Sequence, residues 1–259
     1  MSTLIIGTAA ALLVFCAPGY PGATGDAQPL VDEFATAAAA AANWPPGSLT
    51  AAYDASDEGG LAKLGQPDAA LAFVPFPFFV EHATMLHLEP LLQADVQGVG
   101  ARERWTLLVG KRAGGEGAAA LAGYTLASTA GYAPQFVRRF GVGSFPLPAD
   151  VKITATGQVL SSLRSAAAGE RVIVLLDQEQ MDATATLPFG AQLTKLAQSN
   201  PVPVAIIALV DAHLSKARAD SMRAGLMKLA KSDSGKATLG RLRLQGFIAP
   251  DLPPHSAAP

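Results

Sequence analysis

The residues best suited to chemistry stand at the turn Ser128-Thr129-Ala130-Gly131, within the stretch YTLASTAGYAPQ that spans 124–135. An alternating apolar run leads into two hydroxyls and two small residues, and Pro134 then opens an amphipathic segment. This is the pattern of a strand, a tight turn and a helix with proline in its first turn, where the missing N–H leaves nothing unpaired. Unpaired N–H groups at such a helix start, the positive end of its dipole and the two hydroxyls can converge on one phosphate-like or carboxylate group. Equally, Ser128 and Thr129 can serve only as helix caps.

Other side chains with possible roles occupy comparable turns. Tyr20 lies in the turn PGYPG (18–22) and either presents its hydroxyl to a cleft or packs under the turn. Phe76 belongs to the aromatic run 73–79 and forms either an apolar wall or part of the core. Asp177 opens a polar run to Asp182, a composition also common at a solvated helix start. His82 and His87 lack a third ligand at regular spacing, so no metal site is expected. Ser128 has no partner histidine in a neighbouring loop motif, the four histidines being His82, His87, His213 and His255, so no enzymatic activity is expected. The single cysteine, Cys16, excludes an intramolecular disulfide and reads as a buried inert thiol. No cofactor is expected.

Elements must position these turns. The chain has 259 residues, half of them hydrophobic, and a net charge of -2, enough to build one large domain or two lobes. Near-neutral charge without a basic stripe gives no footprint for nucleic acid. Strands are predicted over 12–16, 49–53, 69–74, 86–92, 104–110, 124–127, 151–156, 172–176 and 202–210. Helices are predicted from Thr24 or Asp26 to Asn43, over 61–64, 135–140, 159–168 and 215–230, with a last short helix within 234–247. Strand and helix alternate twice, which predicts an α/β protein of two lobes, each a mostly parallel sheet flanked by helices, joined by a two-segment hinge. Residues 1–104 form the first part of lobe I, 105–202 form lobe II, and 203–259 return to lobe I and end in a frayed tail. The loops beyond the carboxyl ends of the strands then gather in a cleft, at 18–24, 55–60, 75–79, 128–132, 156–158 and 177–180. Residues 1–11 read as a possible remnant of an export signal.

The motif order PGYPG, ASDEGG, DAALAFVPFPFFVE, LASTAGY, VKITATGQ and PVPVAIIAL, taken over most of the chain, resembles the type II periplasmic substrate-binding proteins of ABC transporters, in their phosphate/phosphite/phosphonate branch. The resemblance implies that Ser128, Thr129 and the N–H groups of Ala130 and Gly131 hold the ligand's oxygens. It places Glu58 where the family often has a tyrosine, and Gln158 where it has a histidine. Asp177, with Glu179, falls where relatives hold an amine. Because a carboxylate repels a dianion, Glu58 either points away or meets a positive group on the ligand. The function so implied is a periplasmic, monomeric receptor that binds a small oxyanion or zwitterion and presents it to a membrane permease. The alternatives are a ligand sensor for a signalling partner, or an enzyme on the same fold.

Overall fold

The structure, a computed structural model, describes residues 10–19, 24–111, 118–254 and 256. Tyr20, read from the sequence as a ligand contact, lies outside the described residues. The chain opens on β1 (Ala11–Cys16), whose six residues are all buried, as expected for a strand covered on both faces. α1 (Thr24–Ala41) follows, and its buried Val31, Phe34, Ala35, Ala38 and Ala39 recur at helical spacing to make one apolar stripe. Then come β2 (Leu49–Asp54), α2 (Asp57–Leu64), β3 (Ala69–Pro75), α3 (Phe76–His82) and β4 (Leu88–Val96). The short β5 (Arg102–Glu103) leads into a second unit built of β6 (Thr106–Gly110), β7 (Thr125–Ser128), α4 (Pro134–Phe136), β8 (Lys152–Ala155), α5 (Val159–Ala168), β9 (Val172–Leu176), α6 (Gln178–Thr184) and β10 (Leu193–Gln198). A π-helical turn over Val137–Gly141 extends α4. β11 (Val202–Pro203) leads back to β12 (Ala205–Val210), α7 (Lys216–Leu229), α8 (Asp233–Arg241) and β13 (Leu244–Ile248). Among the described residues no helix is long and apolar enough to cross a membrane.

Two lobes result. Lobe I is a six-stranded sheet in the order β13-β4-β12-β3-β1-β2, and lobe II a five-stranded sheet in the order β10-β6-β9-β7-β8. The chain crosses between them twice, and β5 and β11 pair antiparallel where it does so. Ser199 ties the crossing further, its N–H donating to Trp105 O at 2.8 Å and its hydroxyl accepting from Trp105 N at 2.9 Å.

The sheets are mixed, not mostly parallel as expected. In lobe I, β1 pairs parallel with β2 and β3, but β12 runs antiparallel to both β3 and β4. In lobe II, β7 pairs parallel with β8 and β9, while β6 runs antiparallel to β9. The crossing imposes this. β12 and β6 both arrive from it, so each starts at the end of the sheet where its neighbours finish: Ala205 pairs with Pro75, and Thr106 with Leu176. One edge strand departs from expectation, since β10 falls where no element is predicted; α8 supplies the short helix expected within 234–247, and β13 follows it.

The segment after β3 becomes helical because Pro75 turns the chain at φ -58 and ψ 151, and Pro77 falls in the first helical turn. This sends Phe76, Phe78 and Phe79 into the interior, all fully buried. Phe76 meets Phe136 and Phe140 of lobe II with ring centroids 6.0 and 5.8 Å apart, so one apolar cluster runs through both lobes. On the outer face of lobe I, α7 lies against α1. A Cβ on Gly225 would come within 2.6 Å of the Ala41 carbonyl carbon, so the helices approach this closely only because position 225 has no side chain.

Beside the crossing, the Glu103 side chain is buried at 5% exposure, and its Oε1 has no hydrogen-bond partner among the described residues. Burial, and next to it the charge of Asp177, push the Glu103 carboxyl from 4.5 up to about 8. Two outcomes are expected. Gly225→Ala should lower the denaturant midpoint, at an overpacking cost of about 1–3 kcal/mol. A carboxyl whose folded pKa is raised binds its proton more tightly when folded, so its contribution is complete below pH 4.5 and is lost as pH rises through about 8. Urea unfolding between those limits should show stability falling by on the order of a few kcal/mol at most, and Glu103→Gln should flatten that slope.

Candidate functional site

A cavity of about 300 Å³ lies between the lobes at the carboxyl ends of β1 and β2 on one side and β7 and β8 on the other. Lobe I lines it with Pro18, Gly19, Ala55, Ser56 and Asp57. Lobe II contributes Thr129, Tyr132, Ala155, Thr156 and Gly157. Four of the six loops expected to form a cleft therefore meet here, while those at 75–79 and 177–180 do not.

On the lobe I wall the loop after β2 is held by its own polar groups. Asp54 Oδ1 accepts from Ser56 N at 2.9 Å and from Ser56 Oγ at 2.8 Å, and Lys63 pairs with Oδ2. Burial opposes ionisation of Asp54, but these donors outweigh it and hold its pKa below the usual value. Ser56 Oγ also accepts from Gly59 N at 3.0 Å and so caps α2. That cap sets Asp57 as the first helical residue, on the cavity wall. Its Oδ1 lies 2.7 Å from His82 Nε2, a contact to a carboxylate that requires Nε2 to carry the proton. His82 is itself buried, its ring 4.5 Å from that of Phe78. Glu58, the carboxylate singled out from the sequence, is exposed and lies off the cavity wall.

Cys16 sits beneath this loop, and its thiol donates to Ser56 O at 3.4 Å. Burial first, and the carboxylates of Asp57 and Asp54 after it, push the thiol pKa far up, so Cys16 offers no thiolate.

On the lobe II wall the turn after β7 closes on itself. The Ser128 hydroxyl is fully buried, donates to Leu175 O at 2.8 Å and accepts from Ala130 N at 3.2 Å. Gly131 N donates to Ser128 O at 3.1 Å. Both N–H groups expected to grip an anion are thus spent inside the turn, and the Ser128 side chain faces away from the cavity. Packing accounts for the small residue at 131, since a Cβ there would come within 2.1 Å of Thr154 O. Thr129 alone of the four lines the cavity, with its Oγ1 accepting from Gln180 Nε2 at 3.3 Å.

The remaining candidates lie elsewhere. Asp177 is 7% exposed and caps α6, with its Oδ1 accepting from Gln180 N at 2.8 Å in a reciprocal capping box. Burial raises its pKa. Its neighbour Glu179 pairs on the surface with Arg243 of lobe I at 2.9 Å. Gln158 is exposed at the start of α5, where its N–H donates to Thr156 Oγ1 at 3.0 Å. Phe76 is core between the lobes. Sequence reasoning passed over Thr156, Tyr132 and the Asp57–His82 pair as site residues. The ASDEGG loop pointed to the region, but one helical residue decides which of two adjacent carboxylates faces the cavity.

The electrostatics of the cavity are one-sided. Among the described residues that line it, Asp57 is the charged one and none is Lys or Arg. Unit charges ~4 Å apart at an effective dielectric near 20 interact by about 4 kcal/mol, which would penalise a bare anion seated against Asp57. Among the described residues no group of three His, Cys, Asp or Glu could hold a metal ion to reverse that sign.

No protein-family model matches the sequence, and no curated protein matches it. Among solved structures, a Xanthomonas citri protein bound to ATP aligns with a TM-score of 0.68 at 16% identity, covering 95% of this chain and 93% of that one. A binding-protein component of an ABC phosphonate transporter from Pseudomonas aeruginosa aligns with a TM-score of 0.61 at 14% identity, covering 96% of this chain and 83% of that one. The fold is that of the type II periplasmic binding proteins. A Prochlorococcus marinus protein in complex with methylphosphonate shares it, with a TM-score of 0.57 at 10% identity over 93% of each chain.

In this fold the lobes approach each other closely at one backbone contact. Gly19 has φ +83, and a Cβ built on it would stand 2.7 Å from Thr129 O across the cavity mouth. Gly19→Ala should therefore weaken calorimetric binding of whichever solute the wild type takes up by at least tenfold, while moving the melting temperature of the ligand-free protein by only a few degrees, because most of the penalty falls on the closed arrangement. Unchanged affinity would mean that this approach is no part of the ligand-bound form.

Proposed function

We propose that the protein is the solute-binding receptor of an ABC import system, working outside the cytoplasm as a monomer and presenting its closed form to a membrane permease. The observation that carries this reading is the position of the cavity, between the carboxyl ends of strands from both lobes, on the fold shared with transporter binding proteins. A solute seated there would touch both lobes at once. Its binding energy would then favour the closed arrangement over the open one, the differential affinity that any ligand-driven closure requires. The moving bodies in this reading are residues 1–104 with 203–259, and residues 105–202, rotating about the paired segments β5 and β11.

The solute is small and carries an oxyanion. A volume of about 300 Å³ stands at the lower end for small-molecule sites. Support for an oxyanion comes from the hydroxyls of Thr129 and Thr156 on the lobe II wall, and from the phosphonate named for two similar structures. In this reading the turn at Ser128–Gly131 contributes through Thr129, with Ser128, Ala130 and Gly131 fixing its shape. The reaction class is reversible binding without turnover.

The test is a thermal-shift screen with phosphate, phosphite, methylphosphonate, ATP, a sulfonate and amino acids, followed by X-ray scattering with the solute that stabilises most. Scattering should report a smaller radius of gyration at saturation. The pair Thr129→Ala and Thr156→Ala should weaken binding at least tenfold, as expected when two hydrogen bonds to a charged group are lost. A radius unchanged at saturation would remove the receptor reading.

A further inference from the structure

The geometry points to Asp57 as an ammonium-binding group, so that the solute of the interlobe cavity carries a positively charged amine which Asp57 meets from lobe I; this rests on the receptor reading of that cavity. Asp57 stands on the wall with its side chain 29% exposed, and His82 occupies only its Oδ1. Among the described residues no other hydrogen bond reaches the Asp57 carboxylate, so Oδ2 remains to accept from a ligand. Lys63, the cation nearest this loop, is engaged by Asp54, and His82 reaches only one oxygen of Asp57. Opposite Asp57, the described lobe II residues on the wall are Thr129, Tyr132, Ala155, Thr156 and Gly157, which bring hydroxyls and no Lys or Arg.

An ionised carboxylate closed into a cavity keeps its charge cheaply only when an opposite charge or several donors accompany it. A solute with an anion alone would bring a second negative charge and at most the one or two hydroxyl donors of a protonated oxyanion. A solute with an ammonium group brings the missing charge and up to three donors, in charge-assisted hydrogen bonds stronger than neutral ones. The ammonium end then faces lobe I and the anionic end faces the lobe II hydroxyls, so one molecule is recognised from both sides only when the lobes close on it. His82 acts as a positioning residue, fixing the carboxylate so that Oδ2 turns to the cavity.

The test uses three pairs of solutes that differ only by the amine: 2-aminoethylphosphonate with ethylphosphonate, taurine with ethanesulfonate, and β-alanine with propionate. Calorimetric titration of the full chain should find, in at least one pair, the amine-bearing member bound at least tenfold more tightly. Asp57→Asn should abolish that preference and leave binding of the amine-free member equal or stronger. Asp57→Ser, a residue well suited to a helix start, removes the charge in a second way should the asparagine variant fold poorly. Equal or tighter binding of the amine-free members overturns the inference, as does a preference that survives both substitutions. Should none of the six bind, the ammonium assignment falls for all three anion classes, while the receptor reading is judged separately by the wider screen and by scattering.

Discussion

Arg102–Glu103 and Val202–Pro203 hydrogen-bond to each other as they carry the chain from one sheet to the other and back, and this pairing constrains much else in the molecule. Because both crossings leave and enter at the same end of each sheet, the strands attached to them must begin where their neighbours stop, and each sheet becomes mixed. The remaining parallel strands then all point their carboxyl ends toward the crossing side, where the loops of the two lobes face each other. The cavity follows from that geometry. It lies where the topology gathers loops, and those loops carry hydroxyls, a carboxylate and glycine.

Apolar packing near the crossing and polar contacts farther out hold the lobes together in different ways. Phe76, Phe136, Phe140 and Trp105 form a continuous aromatic seam, with Trp105 and Phe136 rings 5.1 Å apart. Away from the seam the lobes touch through Glu81 and Gln135 N at 2.9 Å and through Glu179 and Arg243 at 2.9 Å. An exposed ion pair such as Glu179–Arg243 contributes little, typically ~0–1 kcal/mol, and the exposed Glu81–Gln135 hydrogen bond is likewise readily exchanged for water. Buried rings are not, since about 25 cal/mol per Å² of apolar area would be lost on exposure. A rotation that keeps the seam and breaks the outer polar contacts is the least costly way for these lobes to separate.

Charge is distributed with the same economy. The buried carboxyls Glu103 and Asp177 stand beside the crossing, where burial favours their protonated forms, while Asp57 stands on the cavity wall with one oxygen left over. Asp177 illustrates how an acidic residue in a promising loop is absorbed by structure, because its oxygen closes a capping box and leaves nothing for a solute. Asp57 lies at an equivalent helix start, yet the capping there is done by Ser56, so the Asp57 carboxylate is released toward the cavity. Two acidic helix starts thus acquire opposite fates from the identity of one preceding residue.

Much of the architecture was legible in the residues. The all-apolar ALLVFC and VIVLL runs could only be covered strands, the helix over 159–168 ends at a glycine in the left-handed conformation, and the alternation of strand and helix announced two α/β units. Local pattern also located four of the loops that line the cavity. It could not supply strand direction, since β12 reads the same in either orientation, and it missed β10, whose LTKLAQ carries no strong apolar alternation because it is an edge strand. Nor could it say which way side chains turn. Ser128 and Phe76 looked like ligand contacts and became interior, while Asp57 displaced Glu58 at the wall. Strand formation and helix capping depend on neighbours within a few residues, which is why the sequence alone determined them. Whether a hydroxyl or carboxylate meets a solute depends on partners such as Leu175, His82 and Thr154, tens of residues away, and only the tertiary structure brings those into contact.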